Sequence, residues 1–158
     1  MSSFFPSRAL GVLVLCTALP TLAHAVDLPT RKPGLWEVKM IMAGAKTPAM
    51  TMHECTDAST DKEMTSSFAG TDKDACTKND IKKTATGFAV DSQCKADGAP
   101  MTMQADISGD FNSAYTVRVK SKVGGKAPQS TDVTMDAKWI GACPAGQKPG
   151  DVVLPGMK

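Results

Sequence analysis

The chain is 158 residues long, with 18 Lys and Arg against 16 Asp and Glu and a formal net charge of +2. Charges this nearly balanced, scattered singly with no basic stripe, argue against nucleic acid or a strongly acidic molecule as a partner. The length suits one ordinary domain, and an apolar content of 42% is enough to build a core.

Residues 1–25 have the layout of a secretory signal peptide. Arg8 supplies the charge, Ala9 to Leu19 a short apolar run and Pro20 a break, and Ala23-His24-Ala25 places small residues where a signal peptidase reads. A bilayer takes about 20 apolar residues to cross, so this run is too short, and no later stretch is as apolar. No transmembrane segment is therefore expected. Leu15 before Cys16 does not suit a lipid-anchor site, which needs a small residue there. Cleavage after Ala25 would leave residues 26–158 as a single β domain, periplasmic or secreted, with a Pro/Gly-rich tail over 143–158.

An oxidising compartment lets cysteines pair. Cys16 leaves with the signal, so Cys55, Cys76, Cys94 and Cys143 remain, and four cysteines allow three connectivities. The preferred pairing is Cys76–Cys94 with Cys55–Cys143, which ties one hairpin locally and closes the domain globally. In the chain-entropy model the short loop contributes about 3 kcal/mol and the long one about 4–5 kcal/mol. There is no CxxC pair to direct these cysteines to redox or metal chemistry.

Beyond the leader the hydrophobic pattern has period two, which means strands. After the Pro33-Gly34 turn, Trp36, Val38, Met40 and Met42 alternate with Glu37 and Lys39, and Met50 and Met52 follow before Glu54 and Cys55. Thr56 and Asp57 are placed to cap a short helix reaching Phe68. Cys76 to Thr84 is polar and reads as an edge strand or loop. Phe88, Val90 and Cys94 lead to Asp97-Gly98, a strong hairpin signal. Met101, Met103, Ala105 and Ile107 come next, then Tyr115, Val117, Val119 and Val123, then Val133, Met135, Ala137 and Trp139.

The registers support one another. A two-residue turn at Asp97-Gly98 sets Cys94 opposite Met101, Val90 opposite Ala105 and Phe88 opposite Ile107. A bend centred on Asp110 sets Met103 opposite Val117 and Ala105 opposite Tyr115. A loop centred on Ala127 sets Val119 opposite Met135 and Tyr115 opposite Trp139. A one-residue slip would break every match. The polar strand fits less well: pairing Cys76 with Cys94 puts Lys82 against Phe88, whereas a turn-centred register puts Ala85 there and separates the cysteines. The fold expected is all-β, an antiparallel meander of about seven strands with at most one short helix and two disulfides. Its apolar face must be covered, by curling into a small lipocalin-like barrel or as a strongly curved sheet folded against its own first hairpin. Gly34-Leu35-Trp36 is similar to the G-x-W of lipocalin-like barrels, whose Trp plugs the closed end.

Three stretches carry a wider resemblance: Arg31-Lys32-Pro33-Gly34-Leu35-Trp36-Glu37-Val38, Met50-Thr51-Met52-His53-Glu54-Cys55 and Lys138-Trp139-Ile140-Gly141-Ala142-Cys143-Pro144. With the Met-x-Met repeats and four spaced cysteines, the chain resembles the bacterial domain of unknown function 3617, a family of small secreted envelope proteins. The resemblance covers about residues 31 to 150. It implies an exported, periplasmic bacterial protein and transfers no catalytic residue.

Met-x-Met occurs at Met40/Met42, Met50/Met52 and Met101/Met103. Residues two apart on a strand share a face. If the first hairpin bends about Lys46, Met40 lies opposite Met52 and Met42 opposite Met50, a four-thioether cluster suited to Cu(I). The plainer reading is that methionines fill an irregular core. No catalytic constellation is visible: His53 is the only histidine after cleavage and faces away from Glu54. Ser66 and Ser67 lack a nucleophile elbow, and Asp72, Asp74 and Asp80 lack a calcium-loop spacing. A carboxylate pair brought together from distant strands is the remaining route to a hydrolase. The leading expectation is a non-catalytic periplasmic binding or interaction domain, holding a small apolar ligand or an envelope protein partner. Cu(I) binding or oxidant handling by Met40, Met42, Met50 and Met52 is the alternative. The tail, with Val152 and Val153, is expected to add a last short strand or to pair with a partner's edge.

Overall fold

The computed structural model describes residues 28–68 and 75–155. The expected signal peptide, and Asp72 and Asp74 of the polar loop, lie outside them. The elements run β1 (Gly34–Met42), β2 (Met50–Thr56), α1 (Ala58–Phe68), β3 (Cys76–Lys83), β4 (Gly87–Ala96), β5 (Ala99–Gly109), β6 (Ala114–Val123), β7 (Gln129–Gly141) and β8 (Val152–Val153). All eight strands form one sheet in the order β3-β4-β5-β6-β7-β1-β2-β8, and every neighbouring pair is antiparallel.

The meander β3 to β7 thus continues through β1, and the first hairpin extends the sheet instead of folding over it as a second layer. The sheet does not close into a barrel: β3 and β8 are its edges. It is strongly curved. Ile107 on β5 and Met52 on β2 border one cavity, although a flat sheet would hold those strands about 19 Å apart at the usual strand spacing of about 4.8 Å. The inner face is the apolar one. Trp36 is fully buried, with Val38 and Ala137 beside it and Met52, Tyr115, Met135 and Trp139 packed around them.

The β4–β5 hairpin forms in the expected register, with Cys94 opposite Met101, Val90 opposite Ala105 and Phe88 opposite Ile107. Asp97 and Gly98 take φ of 50° and 79°, the paired positive values of a type I′ turn. The β1–β2, β5–β6 and β6–β7 registers differ from expectation by an even number of residues, so the apolar face survives. Between β5 and β6, Ala105 faces Val119 and Ile107 faces Val117. The loop there is longer because the Asp110 carboxylate gathers the backbone N–H groups of Asn112 (2.8 Å) and Ser113 (2.7 Å) and the Ser113 hydroxyl (2.6 Å). Those bonds hold the carboxyl well below the usual aspartate range. Phe111 follows at φ 59° and stacks on Tyr115, with ring centroids 5.5 Å apart.

Between β6 and β7, Val117 faces Met135 and Tyr115 faces Ala137, because the strands end at Val123 and restart at Gln129. In the first hairpin Met40 faces Met50 and Val38 faces Met52. The turn is drawn nearer β7, where the Ala43 amide bonds the Asp132 carbonyl at 2.9 Å.

A β-bulge between Cys76 and Lys78 settles the polar edge strand. One extra residue lets Cys76 face Cys94 while Lys83, not Lys82 or Ala85, faces Phe88. After the bulge Asn79 turns inward and accepts a hydrogen bond from the buried Ser92 hydroxyl at 2.9 Å. On the outer side Lys78 pairs with Asp91 at 2.9 Å, a charged edge that discourages further strand pairing. Disulfides join Cys76 to Cys94 and Cys55 to Cys143. The second bond spans β1, since Leu35 lies between Cys55 on β2 and Gly141 at the end of β7. The Cys55 backbone also pairs with the tail through Gly150 (2.8 Å) and Asp151 (3.0 Å), which leads β8 onto the β2 edge.

Gly34 opens β1 at φ +133°, where an added Cβ would meet the Gly141 carbonyl oxygen and lie 2.6 Å from Trp139 Nε1. Both indoles are anchored to the segment before it, Trp36 Nε1 donating to the Lys32 carbonyl at 2.9 Å and Trp139 Nε1 to the Pro33 carbonyl at 3.1 Å. Gly34→Ala is therefore expected to destabilise the fold by about 2 kcal/mol or more, through backbone strain and the clash together. Urea denaturation of the variant beside the parent checks this, and an unchanged midpoint would contradict it.

Candidate ligand-binding cleft

The inner face of the curved sheet borders a half-open cleft of about 290 Å³. Its walls are apolar. Val38 and Met40 come from β1, Met52 from β2, Ile107 from β5, Val117 from β6 and Met135 from β7. Strand alternation places these side chains there, each on the inward position of its strand. Helix α1 adds Met64 and Thr65 from above. Of the two expected capping residues, Thr56 and Asp57, Asp57 starts the helix by accepting the amides of Ser59 (3.0 Å) and Thr60 (2.9 Å).

One end of the cleft is charged and buried. Arg31, Glu54 and Asp61 are 6%, 7% and 1% exposed. Arg31 Nη1 donates to Glu54 Oε2 at 2.9 Å and to the Tyr115 hydroxyl at 3.0 Å, and Nη2 donates to Glu54 Oε1 at 3.3 Å. Arg31 Nε donates to Asp61 Oδ1, and the Arg31 backbone N–H donates to Asp61 Oδ2 at 2.7 Å. The guanidinium also lies 5.9 Å from the Trp36 ring centre and 5.8 Å from that of Tyr115, within cation–π range. Burial acts to lower the Arg31 pKa, but the Glu54 hydrogen bond and the surrounding charges outweigh it and hold the guanidinium more firmly protonated than usual. Burial pushes the Tyr115 phenol up, against the opposing charge of Arg31.

Of the four methionines expected to cluster, Met40 and Met52 line the cleft. Met42 and Met50 sit towards the hairpin tip, 51% and 45% exposed. The two-residue change of register is the cause: Met40 now faces Met50, and Met42 faces Val133 of β7. Met64 and Met135 line the cleft beside Met40 and Met52, so four thioethers border one cavity. His53 lies on the outer face, its Nε2 3.4 Å from Glu37 Oε2. Asp80 is on the outer side of β3, 3.6 Å from Lys78.

Sequence reasoning missed the Arg31 cluster. A signal was present: Glu54 shares the inward face of Met50 and Met52, and an acid on an apolar face requires a buried partner. Glu54 and Asp61 are the carboxylate pair from separate elements that a hydrolase would need, yet both are engaged by one guanidinium.

An open, curved antiparallel sheet carrying an apolar cleft with an ionic end is the class of protein that this fold and site define. Residues 31–143 match the family described as "Protein of unknown function (DUF3617)", and the chain belongs to that family. No curated protein and no solved structure matches the chain. Among the described residues no helix is long and apolar enough to cross a membrane.

Arg31→Met would leave two carboxylates buried without their cation, and is expected to destabilise the fold by about 3–5 kcal/mol. Replacing the whole cluster, as Arg31→Met/Glu54→Leu/Asp61→Leu, should recover much of that loss. Equilibrium denaturation of both variants tests it, and a triple variant no more stable than the single would show that the cluster is not acting as an ion group.

Proposed function

We propose that this chain is an exported periplasmic protein that binds a small apolar ligand without acting on it. The carrying observation is the cleft, whose apolar walls come from six strands, β8 through Val152 among them, and a helix, and end at a few convergent polar groups. Small-molecule sites combine those two features, and about 300 Å³ is the lower end of their usual volumes, so a small or single-chain ligand fits best. Export is supported by the leader pattern of residues 1–25 and by two disulfides, which persist in oxidising compartments. Engagement of Glu54 and Asp61 by Arg31 supports binding over catalysis, because an acid–base pair must be free to exchange protons with a substrate.

Four thioethers bordering the cleft favour a second reading, Cu(I) binding, with Met40, Met52, Met64 and Met135 as the ligand set. The two readings separate on substitution. Val117→Trp would fill the cleft and is expected to weaken binding of the neutral fluorophore N-phenyl-1-naphthylamine by about tenfold or more, equivalent to about 1.4 kcal/mol. Met40→Leu/Met52→Leu nearly preserves volume and should leave fluorophore binding intact. Equal fluorophore affinity in the parent and Val117→Trp would overturn the apolar-ligand reading. Equal Cu(I) affinity in the parent and the double Leu variant would overturn the copper reading.

A further inference from the structure

We infer that the cleft selects its ligand by head-group charge, taking a single-chain amphiphile with a cationic head in preference to the corresponding fatty carboxylate. This inference rests on the apolar-ligand reading above and names the ligand class. An apolar pocket with an arginine at its end would ordinarily suggest a carboxylate ligand, held by a bidentate pair with the guanidinium. Arg31 is not available for that. Four of the five guanidinium N–H groups are already donated, one to Asp61, two to Glu54 and one to Tyr115. The cation is spent inside the protein.

What remains at that end is an excess of negative charge. One guanidinium faces two carboxylates, and among the described residues lining the cleft Arg31 alone is basic. The groups are buried and the adjoining walls are apolar, so the imbalance is screened less than it would be at an exposed surface. A carboxylate head brought to this end would meet the Glu54 and Asp61 oxygens, and the one remaining guanidinium N–H, on Nη2, offers it no bidentate pair. An ammonium head would be attracted to the same oxygens, with the chain lying along Val38, Met52, Val117 and Met135. An uncharged hydroxyl head falls between the two.

The test uses the purified protein with N-phenyl-1-naphthylamine bound, and three ten-carbon competitors: decylamine, decanol and decanoate. At pH 7 the amine is cationic and the acid anionic, since such groups titrate near about 10 and about 4. Decylamine should displace the fluorophore at a concentration lower than decanoate by about tenfold or more, the lower end of what an opposite charge within a few ångströms produces. Decanol should lie between. Asp61→Asn removes the excess charge while keeping an oxygen for Arg31, and should bring the three competitors to near parity. Decanoate displacing as well as decylamine would overturn the inference and leave the apolar-ligand reading standing. Failure of the fluorophore to bind at all would overturn that reading, and the inference with it. The comparison in the parent protein needs no variant, so a poorly folded Asp61→Asn would not shield the claim.

Discussion

A guanidinium buried against the inner face of a β sheet must be neutralised where it sits, and Arg31 draws that neutralisation from two separate elements. Glu54 comes from the end of β2, Asp61 from the first turns of α1, and the Tyr115 hydroxyl from β6 adds a further acceptor. The segment before β1, the helix and the middle of the sheet are thereby tied at one point. The helix is short and largely polar, and its buried Asp61 ties it to Arg31 over the inner face. The same group forms the end wall of the cleft. Stability and the shape of the cleft therefore depend on the same three charged residues.

Curvature is the second constraint. A flat eight-stranded sheet with one apolar face would leave that face to water. Here the sheet bends until Ile107 on β5 and Met52 on β2 border one space, yet its edges stay apart. The result is a half-open groove, neither a packed sandwich nor a closed barrel. Disulfides hold its two ends. Cys76–Cys94 pins the bulged edge strand, and Cys55–Cys143 ties β2 to the chain leaving β7. The tail then lays Val152 and Val153 beside His53 and Glu54 as a two-residue edge.

Much of this was legible in the residues. Strict alternation placed the strands, Asp97-Gly98 set one hairpin to the residue, and Asp57 marked the helix start. Side-chain face was readable on every long strand but the polar β3, because period two is insensitive to even shifts in register. The register itself was less readable, because loop length is set by local bonds that composition does not display, such as the Asp110 carboxylate gathering four N–H and O–H donors. The bulge at Cys76/Lys78 was hidden for a related reason: two registers competed, and an extra residue kept Cys76 opposite Cys94 while setting Lys83, the partner in neither register, opposite Phe88. The charged end of the cleft was only half legible. Glu54 stood on an apolar face, but its partner Arg31 lies before the first strand, where no periodicity points inward.

The central claim is that the apolar cleft at the Arg31 end is where this protein holds its ligand. Methyl NMR of the methionines tests it most directly, with decylamine as the probe. The account predicts that the ε-methyl signals of Met40, Met52, Met64 and Met135 shift on titration, while those of Met101 and Met103 on β5 stay still. Shifts confined to exposed Met42 and Met50, or spread evenly over all methionines, would place the ligand elsewhere and contradict it.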